Sequence, residues 1–433
     1  MRVGFYGGLA NNCYVFANVM QKGGYDVVFI RDRNDRYAFS QPIWEDIPFV
    51  MSYEDVVSSS SYSWEHWKDI EVNQEWMPPS WLVDPLDLEI DLRKIGATPA
   101  PFWLKPLLNK YVAKGKHRLG VVATMQSCDV LLVCGIEAAI LAMISGRPFI
   151  IWPHGGDIRM AAGLTAPPDS ISVRVSYEMQ KLLLVAAYDR AAYVGTHDAK
   201  ALGGSAGDVG KALRNSNFIH LPIPVSCTPR ASKLERKFRL AKLFEDLNLP
   251  AIDKEIVCLI PSRVDFNWKG HDLLLGALRR VTGLDKLHFI FSGWGKDYLY
   301  AKAYVTQHGL ENQVSFLPFS LSKPKLAEFF TLVDFAVDQF RFMGTYGTAS
   351  VEALAAGCPT MMWIDDKAFT DRGWEPPPVL NARSEMDIVN YLEQISCGSI
   401  DLENISRRSQ AWIQRIHAPN VVLPHLLHYF EKM

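Results

Sequence analysis

Two cations six residues apart are the first chemically suggestive feature of the chain. Arg263 and Lys269 lie in Pro261-Ser262-Arg263-Val264-Asp265-Phe266-Asn267-Trp268-Lys269-Gly270, between a buried-strand pattern and a helical one. A diphosphate spreads negative charge over several oxygens. A guanidinium fork with a flexible ammonium matches it, and the N-terminus of the following helix adds positive potential. A second segment runs from Met343 to Pro359 and reads as a glycine-bearing loop, Gly344-Thr345-Tyr346-Gly347, opening a helix. Backbone N–H groups at such a start can bind sugar hydroxyls or phosphate. Glu352 stands in that helix among Val351, Ala353, Leu354 and Ala355. A carboxylate there needs polar partners if buried, and a ribose diol offers two donors; the alternative is a solvent-facing Glu on an amphipathic helix. A third candidate is His154, followed by Gly155-Gly156-Asp157, where glycines open space for a substrate. A lone histidine is more often structural than catalytic.

The elements that must position these residues alternate in type. Val3–Tyr6 reads as a strand, Gly7-Gly8 as a turn of close backbone approach, Asn12–Lys22 as a helix and Val27–Ile30 as the next strand. The turn lacks a complete GxGxxG fingerprint, so a dinucleotide cofactor has weak support. Strand runs at Asp129–Cys134, Pro148–Trp152, Ala191–Val194 and Phe218–Leu221 follow, with a helix at Ile136–Ile144. Pro222-Ile223-Pro224 reads as a linker. The α/β pattern resumes near Glu255 with strand runs at Ile256–Ile260, Leu287–Phe291, Val314–Leu317, Phe335–Val337 and Thr360–Trp363, and a helix at Asp272–Val281. Short strands alternating with helices predict parallel sheets in two Rossmann-like domains. Ligands of such sheets bind beyond the carboxyl ends of the strands, where the candidate residues fall.

Residues 40 to 118 break this rhythm. They hold six of the twelve tryptophans: Trp44, Trp64, Trp67, Trp76, Trp81 and Trp103. Indoles packing on the domain from an irregular insertion are one reading; an acceptor surface for sugar faces is the other. Lys105, Lys110, Lys114, Lys116, His117 and Arg118 follow and suit either a solvated helix face or anionic phosphates of a lipid carrier or membrane.

Bulk properties bound the alternatives. A chain of 433 residues fits two large domains, and a net charge of −2 gives no sign of nucleic acid as a partner. Seven scattered cysteines without a CxxC pair point to free thiols in a reducing cytoplasm. No run approaches the roughly 18 apolar residues of a transmembrane helix. The first eight residues read as strand and turn, not as a secretory signal.

Taken in order, these segments resemble retaining glycosyltransferases of the family 4 type (glycosyl transferases group 1). The resemblance is carried by the Gly7-Gly8 turn, His154-Gly155, Ser262-Arg263 through Lys269-Gly270, Gly293-x-Gly295, Val314-x-Phe316, Asp334, and Tyr346-Gly347 through Glu352-Ala353-Leu354-Ala355-Ala356-Gly357-x-Pro359. It implies an α/β GT-B fold, two Rossmann-like domains with parallel sheets facing across a cleft. Residues 1–222 then form the acceptor domain and 223–405 the nucleotide-sugar donor domain. Residues 406–433, with helices over Ser406–Ile416 and Val421–Glu431, cross back to the N-terminal domain.

By the same resemblance Arg263 and Lys269 hold the donor diphosphate, Glu352 holds the ribose, and His154 lies by the transferred sugar. Gly344, Thr345, Tyr346, Gly347, Gly293 and Phe319 line the donor site. Gly7, Gly8, Asn12 and Asp157 form the acceptor or phosphate loop. One departure is plain: the family's first glutamate, eight positions before Glu352, is Gly344 here. Asp338 or another acid is a candidate replacement.

The expected activity is sugar transfer from a UDP- or GDP-linked donor to a carbohydrate, lipid-linked or other hydroxyl acceptor. It proceeds with retention and with neither metal nor cofactor. The expected place is the cytoplasm, with peripheral membrane contact left open. A nucleotide-sugar epimerase and a non-catalytic binding partner of a glycan-assembly enzyme are the rivals.

Overall fold

The computed structural model describes residues 1–35, 37–52, 64–86, 106, 111, 115–197, 213, 217–341 and 344–433. In chain order its strands are β1 (Arg2–Tyr6), β2 (Asp26–Ile30), β3 (Val50–Ser52), β4 (Leu82–Val83), β5 (Val130–Val133), β6 (Phe149–Ile151), β7 (Tyr193–Thr196) and β8 (Phe218–His220). The second half adds β9 (Ile256–Ile260), β10 (Leu287–Phe291), β11 (Val314–Phe316), β12 (Phe319–Leu321), β13 (Phe335–Val337), β14 (Thr360–Met362) and β15 (Leu380–Asn381). The chain divides into two compact units, Met1–Glu45 with Ser60–Pro224 and Val422–Met433, and Asp46–Ser59 with Val225–Val421.

The first unit is a parallel sheet in the order β4-β2-β1-β5-β6-β7-β8. Its strands are buried on both faces, so their side chains alternate between two cores. Leu131 and Val133 join one core, Val130 and Leu132 the other. This is why these strands read as continuous apolar runs. The Asn12–Lys22 helix spans the predicted residues. Val422, Leu426 and Phe430, spaced four apart on the last helix, complete one face of this core.

The second unit holds a parallel sheet in the order β11-β10-β9-β13-β14-β15. Ile256, Cys258 and Ile260 face one core, Val257 and Leu259 the other. A small antiparallel pair, β12 with β3, joins Phe319 to Ser52 and Leu321 to Val50. The main segment of the unit begins at Val225, ahead of Glu255 where the α/β pattern becomes visible. Its first helix, Lys233–Asp246, buries Leu240, Leu243 and Phe244 on one face.

The Leu402–Ile416 helix lies in the second unit, where Trp412 and Ile413 are buried and Gln410 Nε2 donates to the Thr228 carbonyl at 2.7 Å. Residues from Val422 onward belong to the first unit. In the segment from 40 to 118 the described indoles pack, as one of the two readings has it, though not from a wholly irregular insertion. It contains the Trp64–Asn73 helix and β4; Trp44, Trp67 and Trp76 are buried, and Trp81 stacks on Tyr14 at 5.2 Å. Trp103, Lys105, Lys110 and Lys114 lie outside the described residues. The basic run is not a uniform solvated face either. His117 is buried against the Arg33 amide and Asn34, and Arg118 pairs with Glu137; burying part of each side chain demands those partners.

Candidate functional site

In the second sheet the strand order reverses between β9 and β13. Loops leaving neighbouring strands in opposite directions open a crevice at that point, where open α/β sheets take ligands. The loop after β9 carries Arg263 and Lys269; the loop after β13 carries Asp338, Gln339 and Gly344–Gly347.

One polar network ties these loops together. Lys269 Nζ donates to Asp338 Oδ1 at 2.6 Å and to Gln339 Oε1 at 3.3 Å. Gln339 Nε2 donates to the Thr345 carbonyl, and Ser350 Oγ donates to the second oxygen of Asp338. The ammonium is therefore fixed to both the glycine-bearing loop and the Thr348–Ala355 helix. Burial pushes the Asp338 carboxyl up, but the Lys269 charge and the Lys269 and Ser350 hydrogen bonds outweigh it and hold the group below its ordinary value. Arg263 is half-exposed and lies 3.7 Å from Asp265, which also takes Lys296 at 3.1 Å. Two cations thus share one buried carboxylate, leaving positive charge beside the crevice. His271 is wholly buried; burial, then the Lys269 charge, lower its pKa to about 3, so it is neutral.

Glu352 is neither solvated nor alone. Its Oε1 accepts from Lys323, at the start of the Lys323–Leu332 helix, while its Oε2 is buried with no hydrogen-bond partner. Thr345 Oγ1 is likewise buried and unsatisfied. Buried polar atoms are normally paired, so two orphans flanking one loop mark a place for a ligand. No side chain caps the Thr348–Ala355 helix, which leaves its first N–H groups available.

The glycines divide by function. Gly293 is a packing residue, since a Cβ there meets the Leu317 carbonyl oxygen at 1.7 Å. Gly344 has φ +59 and accepts from the Asp365 amide at 2.8 Å; a Cβ meets Asp365 Cβ at 2.9 Å. The left-handed backbone and the close Asp365 side chain disfavour a glutamate here. Asp338 is occupied with Lys269 and Ser350. Tyr346 points inward, against Phe369, Trp412 and His417, and Phe319 opens β12 with its side chain half-buried on the core. Any donor contact from these two therefore comes from backbone or ring edge.

In the first unit Gly7 packs on the Cys134 carbonyl, with 2.1 Å from a Cβ to its oxygen, and Gly8 approaches Asp35. Asn12 starts its helix buried, with Oδ1 unsatisfied. His154 contacts Cys134 Sγ through Nε2, and its amide donates to Asp157 Oδ1 at 2.9 Å. Burial, then the neighbouring His197, lower its pKa to about 4. Burial raises Asp157 to about 6 against hydrogen bonds from nearby amides. His154 is thus a neutral imidazole at physiological pH. Among the described residues no group of three or more His, Cys, Asp or Glu is placed to hold a metal ion. No helix among them is long and apolar enough to cross a membrane.

Sequence reasoning missed Lys323, Gln339, Lys296 and Ser350. Nothing local marks them; Lys323 is an ordinary first-turn lysine and Lys269 meets Asp338 across 69 positions.

Residues 245–362 match the family model described as Glycosyl transferases group 1. No curated protein matches the chain by sequence. Among solved structures, Alr3699/HepE from Anabaena in complex with UDP-glucose is 16% identical, with all of both chains covered and a TM-score of 0.61. Sucrose-phosphate synthase from Thermosynechococcus elongatus is 13% identical, with 100% of this chain and 98% of that chain covered and a TM-score of 0.60. The lipopolysaccharide outer core galactosyltransferase WaaB in its apo form is 13% identical over both whole chains, with a TM-score of 0.55. The chain has the fold these share, GT-B.

Proposed function

We propose that this GT-B chain is a glycosyltransferase that moves a sugar from a nucleotide-diphosphate donor to a hydroxyl acceptor, with retention and without metal, in glycan or glycoconjugate assembly. The observation that carries this is the pair of buried unsatisfied oxygens, Glu352 Oε2 and Thr345 Oγ1, on the helix and loop that Asp338, Gln339 and Ser350 tie to Lys269 at the switch point of the second sheet. Glu352 takes ribose hydroxyls on its free oxygen. Arg263 and Lys269 take the diphosphate and neutralise charge growing on it as the sugar leaves, an interaction that strengthens in the transition state. Lys269 turns part of its coordination from Asp338 to phosphate. The departing phosphate accepts the acceptor proton. A structural neighbour holds UDP-glucose, which supports a nucleotide-sugar donor, UDP- or GDP-linked. The acceptor class is a carbohydrate, lipid-linked or other hydroxyl.

Binding of UDP, GDP and dTDP by calorimetry, with hydrolysis of their hexose conjugates, tests this. One diphosphate binds, and Arg263→Ala and Lys269→Ala each weaken it about tenfold or more. Unchanged binding in both variants overturns the site. Gly344 favours a second reading, nucleotide binding without transfer, because no carboxylate can occupy that position without moving Asp365. Tight binding with no turnover on any donor and acceptor selects that reading.

A further inference from the structure

The loop after β10 is stitched to the loop after β9. The Val264 amide donates to the Trp294 carbonyl at 2.8 Å, and the Val264 carbonyl accepts from the Asp297 amide at 3.2 Å. Asp297, the carboxylate of the β10 loop, accepts on Oδ2 from the Phe266 amide at 2.7 Å. Gly295 sits at the closest approach, with φ +123, and a Cβ there would meet the Val264 carbonyl oxygen at 2.3 Å. A side chain at that position would push the loops apart. Lys296 follows Gly295 inside this stitching, which fixes its backbone beside Asp265. Its Nζ lies 3.1 Å from Asp265 Oδ1, while Arg263 Nε lies 3.7 Å from Oδ2. The carboxylate is buried, with 4% of its side chain exposed, and Oδ1 also accepts from the Trp268 amide at 2.9 Å. The cations are the exposed part of the arrangement, at 48% for Lys296 and 46% for Arg263. Their charged ends stand one carboxylate apart, and most of their N–H donors are left for another anion.

We propose that Lys296 is a third cationic ligand of the donor diphosphate, reaching it from the β10 loop beside Arg263. This role rests on the nucleotide-diphosphate reading of the site and extends the site to a second strand end. A diphosphate presents oxygens on two phosphorus centres, so it takes a guanidinium and an ammonium side by side. An ammonium has three donors. Lys296 can keep one on Asp265 and turn the others to phosphate, so the ion pair need not break. Asp265 serves as a tether that holds both long stems before the ligand arrives, which lowers the cost of ordering them. Stability alone gives little reason for the arrangement, since half-exposed ion pairs add little to it. The charge on Lys296 then helps the site to separate a nucleoside diphosphate from the bare nucleoside.

Calorimetry on the full chain with UDP, and with uridine by displacement, tests this; GDP with guanosine and dTDP with thymidine are run alongside. Lys296→Gln should weaken the diphosphate that the parent binds about tenfold, the scale of a charged hydrogen bond, and leave its nucleoside within about twofold. Added salt should weaken diphosphate binding more steeply in the parent than in Lys296→Gln. Lys296→Arg should keep most of the affinity, because the charge stays. Melting temperature should match the parent in both variants, since the ion pair is half-exposed. If Lys296→Gln binds diphosphate as tightly as the parent while Arg263→Ala and Lys269→Ala weaken it, the role of Lys296 is overturned and the site stands. Equal losses for diphosphate and nucleoside, or equal losses in Lys296→Gln and Lys296→Arg, also overturn it, because the shape of the loop and not its charge then carries the effect. A parent that binds none of these diphosphates overturns the site and this role together.

Discussion

Lys269 and Asp338 meet at 2.6 Å across the point where the strand order of the second sheet reverses. The pair joins the two loops of the nucleotide site, and Asp338 sets where the ammonium stands before any ligand arrives. Removing one partner strands the other. Lys269→Ala leaves a buried carboxylate unpaired and should cost about 3–5 kcal/mol of stability. Asp338→Asn in the same chain should restore much of that stability but no nucleotide affinity. Chemical denaturation and calorimetry on the single and double variants separate the two effects.

Glu352 divides its oxygens, one to Lys323 and one to no partner. If the free oxygen takes ribose, the parent should prefer UDP over 2′-deoxy-UDP. Glu352→Gln should reduce that preference about tenfold, the scale of a charged hydrogen bond. An unchanged ratio of the two Kd values removes ribose from Glu352.

Gly344 cannot simply be exchanged for the glutamate of the resembled family. Its left-handed backbone and the 2.9 Å approach of a Cβ to Asp365 predict that Gly344→Ala costs about 1–3 kcal/mol and Gly344→Glu more. Thermal melting should register a loss of about 2–4 °C per kcal/mol. A Gly344→Glu variant as stable as the parent would show that the loop rearranges freely.

His271 gives stability a pH dependence of known sign. Its folded pKa, lowered to about 3 by burial and then by Lys269, lies below the roughly 6.5 of an unfolded histidine. Above 6.5 neither state binds the proton. As pH falls from 6.5 toward 3 the unfolded state binds it first, so stability is lost at about 1.4 kcal/mol per pH unit. His271→Gln should flatten this part of the profile relative to the parent. Equal slopes from pH 6.5 to 4.5 would remove the effect.

Much of the fold was legible because it is local. Buried parallel strands announce themselves as apolar runs, and Ile256–Ile260, Leu287–Phe291 and Phe335–Val337 have the predicted bounds. The Lys233–Asp246 helix went unread although its signals are local: Ser232 caps the first turn, and Leu240, Leu243 and Phe244 keep helical spacing. The tryptophans of residues 40–118 were ambiguous because an indole that packs and an indole that stacks on sugar have the same sequence.

By itself the sequence determined the alternation of strands and helices, and it placed Arg263, Lys269 and Glu352 in or just after loops that follow strands. Residue type and short-range periodicity suffice for that. Only the tertiary structure decided what each of them faces. Lys323 comes to Glu352 across 29 positions and Asp338 to Lys269 across 69, because the strand order brings distant loops to one edge. The same packing turned Gly344 from a missing carboxylate into a position whose backbone admits no side chain without displacing Asp365. Charge pairing and backbone handedness at a site depend on which loops the sheet makes neighbours, and no spacing along the chain encodes that.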